Sequence, residues 1–380
     1  MKVAISAKGR FHAFFLANEL QKAGLLNQLI TSYPVFKAVE YGIGKKYVYS
    51  LLLNELVERG TKKLPFKFLK ADRANYLFHE YFDKRAGMVV KKDNDIFVGF
   101  SASSLNTIKK LKDGPIKIIL ENGSAHPLFQ KKILTEEYGL HGLTPHINEL
   151  LIEKQLQEFS LTDYISVPSR FSKNSFLEYG IAENKIIQVP YGVDTTKFYP
   201  LDKSDKKFRV IFCGNCSIQK GIPYLLKAFY ELKLPNSELY IIGPVANELK
   251  PFAEKYKADN IVWAGAFKEN KLVYEYAKGD VFCIPSVQEG MAMVQLQAMA
   301  CGLPLICTTY SGGGDVITNG KEGFILPIRD IDAIKEKILL LYDHPDMRAE
   351  MGRQALNTIQ NHFTWAHYGE KMIATYHKLV

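Results

Sequence analysis

A chain of 380 residues, 47% apolar and 23% charged, is long enough for more than one hydrophobic core and too ordinary in composition to be disordered or fibrous. Its five cysteines, Cys213, Cys216, Cys283, Cys301 and Cys307, are odd in number and all fall in the second half, which argues against a secreted disulfide framework and for a reducing cytoplasm. The net charge of +9 is uneven: residues 1–200 hold 28 Lys and Arg against 20 Asp and Glu, whereas residues 201–380 hold 21 against 20.

The N-terminus, MKVAISAKGRFHAFFLANEL, has Lys8 and Arg10 where a signal peptide needs an unbroken apolar stretch, so it reads as strand, loop and helix. Short runs rich in β-branched residues then alternate with amphipathic stretches of helical length, the pattern of a parallel sheet with crossover helices. They are VAIS near Val3, LLNQLIT near Leu29, DIFVGF near Ile96, IKIILE near Ile118, YISVPS near Ile165 and KIIQVP near Ile187. Between Lys37 and Lys92, 13 basic residues face 6 acidic ones among aromatics and leucines. Such a stretch suits an anionic membrane surface or an acidic acceptor, and equally a solvated face; no nucleic-acid motif accompanies it.

YGVDTTKFYPLDKSDKKF then replaces the apolar rhythm with Gly, Pro, Asp and Lys, predicting a linker near residues 192–207. Beyond it the strand series restarts with RVIFCG, ELYIIG, NIVWAG, DVFCIPS and LPLICTT. The uncharged run from Gly290 to Gly314 is long enough to span a bilayer, but Gln295, Gln297, Gly302 and Pro304 break it into helix, turn, strand and loop. The fold class is therefore α/β, with two doubly wound parallel sheets facing across a cleft. The expected domains are 1–195 and 207–361, with the last helix, 364–380, returning to complete the first. Ligands of such sheets bind beyond the carboxyl ends of the strands.

Three loops there carry chemistry. PSVQEGMAMVQLQAMACGLP, from Pro285 to Pro304, sets an acid and a glycine between a strand and a helix whose first free N–H groups, around Met291 to Val294, form an anion site. Glu289 can accept hydrogen bonds from sugar hydroxyls, and Gln297, eight residues on, rises from nearly the same helix face. CGNCSIQKG, from Cys213 to Gly221, follows a strand and brings Lys220 to a helix start, where it can neutralise a diphosphate. The Cys213-x-x-Cys216 spacing has no second Cys or His pair at ligand distance and reads as two small buried hydrophobes. SGGGDVITNGKEGFILP, from Ser311 to Pro327, reads as a third loop free to approach a ligand.

Together with GRFHAFFLANEL, ENGSAHP, EFSLTDYISVPS and VPYGVDTTKF, these segments give the chain a resemblance to the retaining glycosyltransferases of family 4, glycosyl transferases group 1, which have the GT-B fold of two Rossmann-like domains. The resemblance implies a hexosyl transfer from a UDP- or GDP-linked sugar to a glycan or lipid-linked saccharide, in cell-surface polysaccharide or glycolipid synthesis. It implies a cytoplasmic protein able to sit at the inner face of the cell membrane, no cofactor and no metal.

It also implies roles. Glu289 holds donor-sugar hydroxyls, Lys220 stabilises the departing diphosphate, and His126 stands near the sugar. Gly9 and Gly214 allow close approach to the phosphates, while Gly290, Met291, Ala292, Met293 and Val294 offer backbone N–H groups. Glu158 and Asp163 serve interdomain structure. The chain departs from the family twice: Asn215 replaces an arginine of the phosphate loop, with Arg10, Arg170 and Arg209 open as substitutes, and Gln297 replaces the glutamate that binds the ribose. These departures keep two alternatives open, a catalytically weak nucleotide-sugar-binding subunit and a nucleotide-sugar epimerase.

Overall fold

The computed structural model describes residues 1–52, 55 and 71–380. The middle of the basic Lys37–Lys92 stretch, residues 53, 54 and 56–70, thus lies outside the described residues. Among the described residues, seven strands make the first sheet: β1 Val3–Ala7, β2 Leu26–Thr31, β3 Val48–Ser50, β4 Ile96–Phe100, β5 Lys117–Glu121, β6 Tyr164–Val167 and β7 Ile186–Gln188. Six make the second: β8 Phe208–Cys213, β9 Ser237–Ile242, β10 Ile261–Gly265, β11 Val281–Ile284, β12 Leu305–Thr308 and β13 Gly323–Leu326. The orders are β3-β2-β1-β4-β5-β6-β7 and β10-β9-β8-β11-β12-β13, and the pairings at the centre of each sheet are parallel.

Both sheets reverse direction beside their first strand, so the switch-point crevices open after β1 and after β8. Those two strands and β4 are buried at every position, which is why they read as nearly continuous apolar runs, interrupted by Ser6 and Arg209, and not as an alternation.

Two strands differ from the sequence reading. β13 falls within the segment read as a loop. Gly323 has φ +156°, and any Cβ there would run into the Leu305 carbonyl oxygen across the ladder, so the strand opens on the residue type that reads as a breaker. β3 is three residues inside the basic stretch, where aromatics and lysines mask its pattern.

The chain crosses between the sheets after Gln188 and crosses back near Thr364. Val193 forms a parallel bridge with Thr364, and Gly192 lies against the Thr364 backbone so closely that a Cβ has no room. Thr364 caps the last helix, Trp365–Tyr376, reciprocally with His367. That helix returns to the first sheet's helix Ala13–Lys22: Trp365 stacks on Phe15 with centroids 4.0 Å apart, and Gly369 sits on Glu19. No helix among the described residues is long and apolar enough to cross a membrane.

Candidate functional site

The two loops after β8 and β11 are forced together by backbone contact. Gly214 leaves β8 with φ +151°, and its carbonyl occupies the space a Cβ of Gly243 would need. Gly221, at φ +69°, starts helix Ile222–Leu232 pressed on the Pro285 carbonyl, again without room for a side chain. This packing delivers Lys220 to the Pro285–Glu289 segment, and its Nζ forms an ion pair with Glu289 Oε1. Burial pushes the Lys220 ammonium down, from 10.5 to about 8, and the adjacent carboxylate opposes that push. Ser286 Oγ donates to the same carboxylate oxygen at 3.4 Å, and the Glu289 N–H donates to the Tyr310 carbonyl at 2.9 Å, fixing the loop.

Helix Met293–Ala300 starts four residues after Glu289. The Ala292 N–H donates to the Ser311 carbonyl at 3.3 Å, and Met291 and Ala292 are buried; of the five expected backbone donors, Met293 and Val294 therefore stand at the open helix mouth. Gly290 faces the other sheet: a Cβ would meet the Gly123 carbonyl, and its own carbonyl accepts from Ser169 Oγ at 2.6 Å.

A cleft of about 550 Å³ lies beside this mouth, within the usual size of ligand sites. It brings Gly9 and Arg10 from the first sheet to Met293, Val294 and Gln297 from the second. Gly9 has φ +112°, so the turn after β1 needs glycine. Gln297 accepts a bond from the buried Tyr276 hydroxyl at 3.1 Å, which turns its NH₂ group toward the remaining space. Asn215 is exposed in the loop after β8.

Lys220, Glu289, Gly214 and Asn215 do not line this cleft, and neither does His126. Its Nδ1 accepts from the Leu128 N–H at 3.3 Å as a helix cap, its ring stacks on Tyr179 at 4.6 Å, and burial among aromatics pushes its pKa down to about 4. His12 is held at 3.0 Å by Glu121 and packs on Tyr191. Of the three arginines left open, Arg209 is buried against Glu238 and Arg170 pairs with Asp315, so Arg10 alone lines the cleft, paired with Glu269 of the second sheet at 3.3 Å. Glu158 and Asp163 serve the first sheet internally and not the domain interface: Glu158 accepts from the N–H groups of Ala102 and Ser104, and Asp163 from that of Ile118. Cys213 and Cys216 are buried, and burial pushes their thiols up to about 11 and about 12.

Sequence reading missed the residues that join the two sheets. Glu137, fully buried, accepts from Tyr224 at 2.8 Å and Arg329 at 2.6 Å. Asp315 accepts from the Arg170 N–H at 2.8 Å and from Gln188 at 2.9 Å. Gln288, fully buried, bonds to side chains of both sheets. Their only signal is a polar residue in an apolar setting, which names no partner.

Residues 194–358, which contain β8 to β13 and the loops bearing Lys220, Glu289 and Gln297, match the family described as glycosyl transferases group 1. These residues form a group 1 glycosyltransferase domain. Among relatives, a GDP-mannose-dependent alpha-(1-6)-phosphatidylinositol monomannoside mannosyltransferase of Mycolicibacterium smegmatis is 25% identical over 55% of this chain and 61% of its own length. The chain spans 59% to 61% of the length of the first curated relatives it matches. Among solved structures, sucrose-phosphate synthase from Thermosynechococcus elongatus has TM-score 0.76 at 16% identity, covering 100% of this chain and 99% of that one. Anabaena HepE in complex with UDP has TM-score 0.69 at 13% identity, each chain covered in full. These likenesses take in both sheets, and the fold is GT-B: the group 1 domain faces a second Rossmann-like domain across the cleft.

Proposed function

We propose that the protein is a retaining glycosyltransferase that moves a hexosyl group from a UDP- or GDP-linked sugar to a hydroxyl of a glycan or lipid-linked saccharide, in cell-surface polysaccharide or glycolipid synthesis. The observation that carries this reading is the Lys220–Glu289 pair set before the helix mouth at Met293 in a group 1 domain. A relative that uses GDP-mannose and a structural neighbour that holds UDP support either nucleotide.

In this reading residues 207–361 hold the donor, and residues 1–195 with the final helix hold the acceptor. The acceptor oxygen forms its bond to the anomeric carbon on the face the leaving group departs from, as the bond from that carbon to the diphosphate oxygen breaks. The hydroxyl proton passes to the departing diphosphate. Lys220, with Met293 and Val294, takes the charge that builds on the leaving group, and no metal is assigned to that task. Glu289 holds the sugar hydroxyls, sharing the ammonium until the diphosphate claims it. Gly9 admits the phosphates to the first domain's side of the cleft, and Arg10 supplies the guanidinium that Asn215 does not. Gln297 reaches the ribose. His126, enclosed by aromatics, acts by shaping the loop before helix Pro127–Leu140 and not by touching the sugar.

Incubation with a panel of UDP- and GDP-sugars, with and without glycan acceptors, tests the proposal by nucleotide release. Acceptor-dependent release with the anomeric configuration kept supports it. Tight nucleotide binding without release from any donor supports a binding subunit instead, and an epimerised donor without acceptor supports an epimerase. Attachment at the inner face of the cell membrane rests on the Lys37–Lys92 charge and predicts pelleting with anionic vesicles that weakens with salt.

A further inference from the structure

Two of the residues proposed for the chemistry, Lys220 and Glu289, each have a glutamine as their preceding neighbour, Gln219 and Gln288. The two glutamines hold one another. Gln219 Nε2 donates to Gln288 Oε1 at 3.0 Å and to the Gln288 carbonyl at 3.1 Å, while the Val287 N–H donates back to the Gln219 carbonyl at 2.9 Å. These bonds keep the loop after β8 and the loop after β11 in one register.

The other half of the Gln288 amide belongs to the opposite domain. Its Oε1 also accepts from Gln130 Nε2 at 3.1 Å, on helix Pro127–Leu140, and its Nε2 donates to Ser124 Oγ at 2.9 Å, in the loop after β5. Both lone pairs of the carbonyl are thus used, one by each domain, and the side chain is fully buried. An opened cleft hands that amide half to water, and the two bonds that fix its direction are lost. The same helix reaches the loop after β8 through Glu248: Tyr138 donates to Glu248 at 2.7 Å, and Glu248 accepts from the Ile218 N–H at 3.3 Å.

We propose that Gln288 is a positioning residue: it fixes Lys220 against Glu289 only while Gln130 and Ser124 of the opposite domain are seated on its amide. Closing of the cleft then completes the charge-bearing pair, and the donor reacts only in the closed form. The proposal rests on the transferase reading above for its kinetic test and on the interface alone for its structural test.

The variants are Gln130→Met and Ser124→Ala, which remove the opposite domain's half of the contact and leave the Gln219–Gln288 bonds intact. Calorimetry with UDP and with GDP measures binding, donor turnover measures kcat, and small-angle scattering of the full chain saturated with nucleotide measures closure. Expected are nucleotide Kd values within about threefold of wild type, kcat lowered at least about tenfold in the double variant, and a larger radius of gyration with nucleotide bound. A lesion that only loosens the fold lowers affinity and kcat together. Unchanged kcat in the double variant, or affinity and kcat falling in parallel, overturns the proposal. When wild type itself releases no nucleotide from any donor, the transferase reading fails and scattering decides: equal radii for wild type and double variant then overturn the positioning role.

Discussion

Replacing Lys220 by Met removes the ammonium paired with Glu289, which on the proposed mechanism the departing diphosphate shares, while preserving most of the side chain's volume. Unit charges about 4 Å apart attract by about 4 kcal/mol at an effective dielectric of about 20. Lys220 is 21% exposed, so its surroundings fall in that regime and not in bulk water. Glu289 stays on the same ammonium and takes back part of the attraction. About 2 to 3 kcal/mol is left for the transition state, a loss of about 30- to 150-fold in kcat/KM. The pH profile gives the same group a second signature. With its pKa pushed from 10.5 to about 8, the ammonium of the free protein discharges as pH rises through 8, so kcat/KM falls there, and the variant lacks that limb. Stability runs the opposite way: between about 8 and 10.5 the unfolded chain binds more protons at this lysine than the folded one, so its contribution to stability grows as pH rises. The assay is nucleotide release across pH 6 to 10 on protein whose melting curve shows it folded. A folded Lys220→Met protein with kcat/KM within about threefold of wild type and an unchanged basic limb refutes the role.

Gly290→Ala puts a methyl group on the Gly123 carbonyl and within 2.7 Å of Ser124 Cα, backbone that cannot swing away, so closure is blocked. Turnover should fall at least about tenfold and the radius of gyration rise, with Tm lowered by only a few degrees. Gln297→Glu keeps the bond from Tyr276 and turns the amide's donor side into an acceptor. If ribose hydroxyls face it, UDP or GDP affinity measured by calorimetry should rise about 3- to 10-fold. Arg329→Met takes the guanidinium from the fully buried Glu137 carboxylate and leaves it the Tyr224 hydroxyl. With Arg329 itself 22% exposed, about 2 to 3 kcal/mol of stability in urea unfolding should be lost, and adding Glu137→Met should restore part of it.

The strands that build both crevices were legible because each is a run of apolar, β-branched residues bounded by turn formers. β1 and β8 announce themselves as VAISA and FRVIFC. The loops after β8 and β11 were legible too, since a loop that must pass close to other backbone needs Gly214, Gly221 and Gly290, and such glycines stand out between a strand and a helix. β13 was not, because the same rule misleads where a glycine opens a strand. The contacts between domains were hidden for a different reason. Gln130 and Gln288 are 158 positions apart, and nothing in the neighbourhood of either says that its amide ends on the other. His126 shows the limit of resemblance: ENGSAHP resembles a family segment, yet the ring turns inward to Tyr179 and Phe176, a matter of packing that no local motif encodes.

The outgoing and returning chains lie side by side where Val193 bridges Thr364. A single tether lets two bodies swivel, tilt and bend about any axis. Two tethers bonded to each other, with Gly192 jammed on the Thr364 backbone, suppress the swivel and the sideways tilt and leave a single bending axis. Every excursion of the two bodies then follows one arc. Loops that meet at the end of that arc do not have to search for each other, so Gly290 and Gly123 can afford a fit with no room for a methyl group.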